Sequence, residues 1–360
     1  MIRLIKPYIN FDEVKDEFRQ IFDSGILTKG PYSIEWPRRL REYTSAKYAF
    51  NTTSATTALA ACLEILGIGA GDEVIVSDFS FPASANVVEA CGARPVFADV
   101  SLETYNTQPD ELESKITGKT RAVMFIDALG NPDGILKIKR LCGERGLPLI
   151  EDAACALGSS EEGIKSGAIA DLTCFSFHPR KLLTAGEGGA ILTNNDEYAE
   201  KLSVKLAHGA TGYDGTLNFV TYGYNYRLPE LQCAMLIKQL EKLDDIIAGR
   251  IAVQRRYDEL IGPYGYLAQA HNKNVVHNNQ SVVFSVPGNV GRDSLIEHLK
   301  SNGIESTIGT YCQSISTYFR KKYNDVQKNA EWLWKHTITL PCYDSVDADH
   351  VAEKILEYTL

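Results

Sequence analysis

The sequence lacks the patterns of exported, membrane-spanning and zinc-binding proteins. None of its apolar runs reaches the roughly 18 residues that a membrane helix needs. The charged residues Arg3 and Lys6 come too early for the apolar stretch of a signal peptide. The seven histidines and eight cysteines form no C-x-x-C or H-E-x-x-H pattern and no other zinc-ligand spacing. We therefore expect a protein that is neither exported nor inserted in a membrane and that binds no metal.

The cysteines are scattered, without the spacing typical of a disulfide framework. Most of them stand inside apolar runs, where a free thiol behaves as a small apolar side chain. This distribution predicts a reduced, cytoplasmic protein.

The sequence also has no block of charge of one sign. Its net charge of −9 is spread along the chain, which argues against a surface for nucleic acid. Apolar residues make up 44% and charged residues 23% of the chain, as in soluble globular proteins with a large core. A length of 360 residues allows two domains of ordinary size.

Apolar runs typical of strands alternate with helical patterns through the first half of the chain. We predict strands over residues 49–52, 73–78, 95–100, 122–127, 147–152, 172–177 and 190–193. We predict helices around them over residues 11–21, 33–44, 55–66, 83–91, 110–116 and 134–145. This alternation is typical of an α/β fold with a mostly parallel central sheet and helices on both faces. Ligands bind such sheets beyond the carboxyl ends of the strands.

A long helical pattern over residues 229–260 leads into the last third of the chain. A predicted strand follows over residues 281–286, with helices over residues 293–302 and 347–358. We predict a large domain over residues 1–245 and a smaller C-terminal α/β domain over residues 246–360.

One lysine stands at a position suited to covalent chemistry. An apolar strand ends in CFSFHPRK (residues 174–181), and the glycine-rich run GEGG (residues 186–189) follows it. We call residues 178–188 the lysine turn. A lysine fixed at the edge of a sheet can form a Schiff base with a carbonyl group. Most lysines are solvated charges, so this interpretation depends on what surrounds Lys181.

Other strand ends supply residues that suit one phosphorylated, flat and cationic ligand. The run TSATT (residues 53–57) opens a helix, where free N–H groups favour a phosphate, although Ser54 also suits a plain helix cap. Asp152 ends a strand, where a carboxylate can hold a cationic ring nitrogen or simply cap a helix. Phe81 can stack on a flat ring or fill the core, and Ser176 can add a phosphate contact.

In their order along the chain these blocks resemble the DegT/DnrJ/EryC1/StrS family of sugar aminotransferases. The resemblance covers nearly the whole chain and rests on GILTKGP (25–31), SATTAL (54–59), GDEVIV (71–76), EDAA (151–154), FSF through Lys181 to GEGG (175–189) and GYNYR (223–227). It implies fold type I of the pyridoxal phosphate-dependent transferases, with the large domain binding the cofactor. It also implies transfer of an amino group from L-glutamate or glutamine to carbon 3 or 4 of a nucleotide-linked keto deoxyhexose. Such a reaction belongs to amino-sugar biosynthesis for a surface polysaccharide or glycan.

The resemblance further implies a role for each matching residue. Lys181 is then the Schiff-base lysine and proton carrier, and Asp152 is the partner of the ring nitrogen. The remaining cofactor contacts that it implies are Ala55, Thr56, Phe81, Ser176 and Asn225. Relatives lend the residue matching Asn225 across a homodimer interface to the neighbouring subunit's phosphate, so a homodimer with shared active sites is expected.

Two positions depart from the family pattern, and the substrate contacts are less specific. Cys155 stands beside the cofactor where many relatives have Gln or His, and Asp127 stands where His is frequent. A thiol cannot reproduce the hydrogen bond that Gln or His gives the cofactor's phenolic oxygen. Lys29, His178 and the segment 307–313 are the candidates for contacts with the sugar nucleotide.

Three other functions are compatible with parts of the pattern. A sugar dehydratase of the same fold carries histidine in place of the lysine, whereas Lys181 is present here. A non-catalytic sensor that keeps the fold is expected to lose the lysine or the acid, and both are retained. A nicotinamide-dependent oxidoreductase needs G-x-G-x-x-G after the first strand, where this chain has SAT (residues 54–56).

Overall fold

The computed structural model describes residues 1–212 and 216–360, and its centre is a seven-stranded sheet. From one edge to the other the strands are Tyr48–Thr52, Gly189–Thr193, Leu172–Ser176, Leu149–Asp152, Thr120–Ile126, Glu73–Ser77 and Arg94–Ala98. Only Gly189–Thr193 runs opposite to its neighbours, and the other strands share one direction. The predicted α/β fold with a mostly parallel sheet is therefore confirmed.

Helices cover both faces of this sheet because its strands are apolar on both sides. Buried residues occupy every position of the strand Glu73–Ser77. The helices of this part are Lys15–Ser24, Pro31–Thr44, Ala55–Ile65, Ala83–Ala90, Pro109–Ser114, Ile135–Arg145 and Asp196–Lys205. Separate apolar clusters lie on the two faces, one around Leu59 and Ile191 and others around Phe125 and Trp36.

A second, four-stranded sheet forms in the C-terminal third of the chain. Its strands, in order across the sheet, are Leu267–Ala268, Val282–Ser285, Thr337–Leu340 and Thr307–Ile308. The helices of this part are Arg292–Ser301, Thr317–Tyr323, Lys328–His336 and Ala348–Thr359. Its core, which includes Phe284 and Leu295, also takes in Tyr257 from the preceding helix. The division near residue 245 stays a prediction.

The predicted helix over residues 229–260 is wrong in one respect, because two helices occupy this range. They are Glu230–Leu240 and Leu243–Ile261, and the chain turns between them. No glycine or proline marks the break. Lys242 stands there with its ammonium bonded to the carbonyl of Tyr8 (3.1 Å) and to Glu13 (2.8 Å), so a tertiary contact holds the bend.

Short elements complete the fold. The remaining two-residue strands are Phe79–Ser80, Ser160–Glu161, Ile164–Lys165, Ala210–Thr211, Asn218–Phe219, Val275–Val276 and Tyr311–Cys312. Single 3-10 turns cover Phe11–Glu13, Ala128–Gly130 and Gly262–Tyr264. Among the helices of the described residues, none is both long and apolar enough to span a membrane. All eight cysteines are free thiols.

Candidate active site

Asp152 lies at the carboxyl end of the middle strand Leu149–Asp152, nearly enclosed by protein. The hydroxyl of Ser84 donates to Oδ2 (2.7 Å) and the N–H of Ala154 to Oδ1 (3.3 Å). Burial raises the pKa of Asp152, while these two hydrogen bonds and the charge of Lys181 lower it by less. A cation placed against this carboxylate would offset the cost of burying its charge.

The loop predicted to hold a phosphate caps the helix Ala55–Ile65. The N–H of Thr57 donates to the hydroxyl of Ser54 (3.1 Å), and the N–H of Ser54 donates to the hydroxyl of Thr57 (3.1 Å). This capping box leaves Ala55 and Thr56 at the first turn, with Thr56 exposed to solvent. An anion there would meet free backbone N–H groups and the positive end of the helix dipole.

Gly189 lets the backbone of this loop approach the sheet. In the register of the sheet Gly189 lies between Thr52 and Ser176. Ser176, at the end of the strand Leu172–Ser176, is therefore close to the loop. A Cβ on Gly189 would lie 2.4 Å from the carbonyl carbon of Ser54 and 2.7 Å from the nitrogen of Ala55. The contact is with backbone, so a side chain cannot be accommodated without moving the loop.

We expect Gly189→Ala to displace the phosphate loop. The overpacked methyl group should lower the free energy of unfolding by roughly 1–3 kcal/mol and weaken cofactor binding. Denaturant unfolding and cofactor titration measure the two effects. Gly143→Ala is the matched control, since Gly143 lies inside the helix Ile135–Arg145 with open space around it. That change should be neutral or stabilising by up to about 1 kcal/mol; equal behaviour of both variants would contradict the crowding argument.

Lys181 and Cys155 meet in front of Asp152. The amine Nζ of Lys181 donates to the thiol Sγ of Cys155 at 3.0 Å, and both residues are partly exposed. Lys181 lies in a tight turn. Its backbone N–H closes this turn by donating to the carbonyl of His178 (2.8 Å). The amine of Lys181 and the thiol of Cys155 are therefore in contact, close enough to Asp152 for the lysine charge to act on its carboxylate. We call the surface at these three residues the opening.

Phe81 presents its ring to solvent beside this opening, with 65% of the residue exposed. Its one aromatic neighbour in the described residues is Tyr311, edge to face at 6.1 Å between ring centres. Tyr311 comes from the segment 307–313, whose strand Tyr311–Cys312 pairs with Phe79–Ser80. So large an exposed aromatic surface suits a flat partner ring.

Asp78 fastens that segment to the large sheet. Its buried carboxylate accepts hydrogen bonds from the N–H of Ser314 (2.7 Å), the hydroxyl of Ser314 (2.5 Å) and the thiol of Cys312 (3.1 Å). Burial raises the pKa of Asp78 from 3.8 to about 6 despite these donors.

The raised pKa of Asp78 predicts a stability that falls as pH rises. Between pH 3.8 and about 6 the folded state holds a proton that the unfolded state has released, so unfolding becomes easier with increasing pH. The loss should approach about 3 kcal/mol, since one pKa unit corresponds to about 1.4 kcal/mol. Urea unfolding of the wild type and Asp78→Asn across this range measures it. The free energy of unfolding of Asp78→Asn should lack this part of the fall with pH. An identical fall in both proteins would contradict the raised pKa of Asp78.

Asp127 and Glu151 form a buried acid pair behind Asp152. The hydroxyl of Ser166 donates to Oδ2 of Asp127 (3.0 Å), and Glu151 accepts from the hydroxyl of Thr173 (2.6 Å). Burial and the neighbouring Glu151 raise the pKa of Asp127 well above its usual value. Its side chain is engaged inside the protein rather than at the opening.

Lys29 lines a cavity that Lys181 does not line. That cavity has about 480 Å³ of free volume and is also lined by Ser33, Asn51, His208 and Arg227. Its loop is held by the buried carboxylate of Glu230, which accepts from the N–H groups of Gly30 (3.0 Å), Tyr32 (2.8 Å) and Ser33 (2.8 Å). None of the residues predicted to bind the cofactor lines this cavity.

His178 and Asn225 are both exposed. The ring Nδ1 of His178 accepts from the N–H of Arg180 (3.2 Å), so this histidine folds back on the lysine turn. Partial burial lowers the pKa of His178. Asn225 lies two residues before Arg227, whose guanidinium contacts His208 at 2.9 Å.

This arrangement defines an α/β enzyme with a lysine amine, a buried carboxylate and a phosphate loop at one end of a parallel sheet. Residues 9–357 match the model of the DegT/DnrJ/EryC1/StrS aminotransferase family. The chain belongs to this family, and it is a pyridoxal phosphate-dependent sugar aminotransferase of fold type I.

Relatives with known names support this assignment. GDP-perosamine synthase of Vibrio cholerae is 33% identical over 310 residues, 85% of this chain and 84% of that protein. The spore coat polysaccharide biosynthesis protein SpsC of Bacillus subtilis is 32% identical over 371 residues, 97% and 94% of the two chains. The structure of PseC of Helicobacter pylori, an aminotransferase involved in the biosynthesis of pseudoaminic acid, superposes with a TM-score of 0.93 at 25% identity, covering 99% of each chain.

Pyridoxal phosphate fits the residues at the opening. The helix N-terminus at Ala55 suits its phosphate, and Gly189 lets the backbone of Ser54 and Ala55 lie close against the sheet. The buried Asp152 lacks a cationic hydrogen-bond partner among the described residues, as a site for a protonated ring nitrogen requires. The exposed face of Phe81 suits the ring.

Some residues of the site were missed by sequence reasoning. Ser84, which orients Asp152, lies 68 residues earlier in the chain. The sequence signal for Ser84 was a hydroxyl residue in the first turn of the helix Ala83–Ala90, three residues after Phe81. Glu230, which holds the Lys29 loop from 200 residues away, looks like an ordinary first-turn acid in sequence.

Proposed function

We propose that this enzyme transfers the amino group of L-glutamate or glutamine to the keto carbon of a nucleotide-linked deoxyhexose. The contact between the amine of Lys181 and Cys155, in front of Asp152, is the observation that carries this proposal. The relative named GDP-perosamine synthase makes a nucleotide-linked product, which supports a nucleotide-linked substrate here. The relative named for spore coat polysaccharide supports a role in surface polysaccharide or glycan synthesis.

The proposal assigns a role to each residue of the site. Lys181 would hold the cofactor and carry protons between the two substrate carbons. Asp152 would hold the ring nitrogen, with Ser84 fixing the orientation of the carboxylate. Ala55, Thr56 and Ser176 would bind the phosphate, and Phe81 would cover one ring face. When bound, pyridoxal phosphate supplies the electron sink that makes the proton transfers possible.

Cys155 takes the place of a stronger hydrogen-bond partner of the cofactor. Its thiol is a weak donor and acceptor, so it orients the amine of Lys181 more than it tunes the phenolic oxygen. Lys29 and His178 are proposed substrate contacts, and so is the segment 307–313 beside Phe81.

The enzyme is proposed to work as a homodimer that shares its active sites. Large apolar side chains stand exposed just before Asn225, namely Leu217, Phe219, Val220 and Tyr222, each more than half exposed. A cluster of this kind is typical of an interface. The neighbouring cavity of Lys29 and Arg227 would then face the partner's phosphate site. The free thiols support a reducing compartment, as the cytoplasm is.

A panel of keto sugar nucleotides tests the proposal. The purified enzyme is incubated with each sugar nucleotide and L-glutamate, and the product is analysed for a new amine and its carbon position. At least one keto deoxyhexose should gain an amine with the release of 2-oxoglutarate. Loss of a hydroxyl without gain of nitrogen would instead identify a dehydratase. Sedimentation analysis with and without Phe219→Glu tests the dimer, which the new charge should dissociate.

A further inference from the structure

The lysine turn has little regular structure of its own. It connects Leu172–Ser176 to Gly189–Thr193 without a helix, and its internal backbone hydrogen bonds are few. A turn of this kind would leave the starting direction of the Lys181 side chain variable. The structure instead pins its backbone from outside, through three glutamine side chains.

Gln280 spans Lys181 itself. Its side-chain nitrogen donates to the carbonyl of Arg180, and its side-chain oxygen accepts from the N–H of Leu182 at 2.8 Å. Gln280 is 5% exposed, so water does not compete for these bonds. One amide therefore holds the peptide groups on both sides of the lysine.

Two glutamines of the helix Glu230–Leu240 hold the rest of the turn. Gln239 accepts from the N–H of Thr184 (3.0 Å) and donates to the carbonyl of the same residue (2.8 Å). Gln232 donates to the carbonyls of Ala185 (3.0 Å) and Glu187 (2.7 Å). They lie seven residues apart, so both side chains project from one side of the helix.

Gln280 is itself held rigidly. The fully buried guanidinium of Arg250 donates to the carbonyls of Asn279 (2.7 Å) and Gln280 (2.9 Å). The side chain of Asn278, two residues before Gln280, donates to the carbonyl of Cys155 (2.9 Å) and accepts from the N–H of Gln280 (2.9 Å). The short segment 278–280 thus bonds to the carbonyl of Arg180 and the N–H of Leu182, on either side of Lys181, and to the carbonyl of Cys155.

We propose that Gln280, assisted by Gln239 and Gln232, is a positioning residue that fixes the amine of Lys181 for its two proton transfers. The inference rests on the role proposed for Lys181. A proton carrier must reach two substrate carbons in turn, and an error of about 1 Å in such a group can lower a rate about a hundredfold. Bonds to both flanking peptide groups remove the rotation of the turn that would produce such an error.

Gln280→Met tests this inference against Gln269→Met. Gln269 is equally buried and donates to two main-chain carbonyls, those of Thr104 (2.6 Å) and Ala128 (3.0 Å), away from the lysine turn. We expect Gln280→Met to slow the half-reaction with saturating amino donor about ten- to a hundredfold. It should also shift the pH at which the visible absorbance of the bound cofactor changes. Gln269→Met should leave the rate and the absorbance profile unchanged.

Gln280→Glu keeps the acceptor for Leu182 and loses the donor to Arg180. Its rate should fall between those of the wild type and Gln280→Met, and it decides the question if the methionine variant does not fold. The inference is wrong if both Gln280 variants match Gln269→Met in rate and absorbance. Borohydride labelling of wild-type Lys181 separates the two levels: absence of the label refutes the role of Lys181, whereas labelling with unaffected variants refutes only the role of Gln280.

Discussion

Lys181→Ala should lower the turnover of a keto sugar by about 10²- to 10⁴-fold, because the change removes the proposed carrier of both proton transfers. The change also removes the proposed point of attachment of the cofactor, which is the amine of Lys181 near Asp152. Steady-state assays with L-glutamate measure the first effect. Borohydride treatment followed by peptide mass analysis measures the second, and only the wild type should retain the cofactor.

Two further experiments make this prediction specific. Lys165→Ala is the control, because Lys165 is also partly buried but packs on the ring of Tyr43, away from the opening. Its activity should match that of the wild type. Adding methylamine to Lys181→Ala should restore part of the rate, since a small free amine can carry the proton in the space of the missing side chain. An undiminished rate in Lys181→Ala would refute the proposed mechanism.

Asp152→Asn should lower turnover by about 10²- to 10³-fold, a loss typical of removing one fixed electrostatic contact from a transition state. The amide has nearly the same shape and still accepts from Ser84, so folding should be preserved. What it loses is the negative charge that keeps the ring nitrogen protonated. Without that proton the ring is a weaker electron sink.

A cofactor analogue isolates this electrostatic role. N-methylated pyridoxal phosphate carries a fixed positive charge on the ring nitrogen, so it should partly restore the rate of Asp152→Asn while giving the wild type no advantage. Ser84→Ala should cause a smaller loss than Asp152→Asn, because the carboxylate keeps the N–H of Ala154. Full activity of Asp152→Asn with the natural cofactor would rule out the proposed pairing of Asp152 with the ring nitrogen.

Much of the site could be predicted because parallel strands end at one edge. Asp152, Ser176 and Phe81 follow separate apolar runs, and the alternation of strand and helix requires their ends to meet. Most predicted elements agree with the structure to within two residues at each end, since apolar periodicity and helix caps are local properties. The fold class and the family followed from the same local blocks.

Other features had no local signal. The helix break at Lys242 has neither glycine nor proline, and it depends on a contact with Tyr8 and Glu13 far away in sequence. Lys29 matched a family block, yet it lines a cavity that Lys181 does not line. A motif in the sequence predicts that a residue belongs to a site, but it does not show where the folded chain places that residue.

The sequence alone determined the fold class, the cofactor chemistry and the residues at the strand ends, because periodicity and motif order are written along the chain. Only the tertiary structure decided what holds those residues in place. Ser84 reaches Asp152 across 68 positions, and Gln280 reaches the lysine turn across about a hundred. Such side-chain bonds to backbone and carboxylate groups have no periodicity, so they become apparent only when the folded chain brings distant segments together.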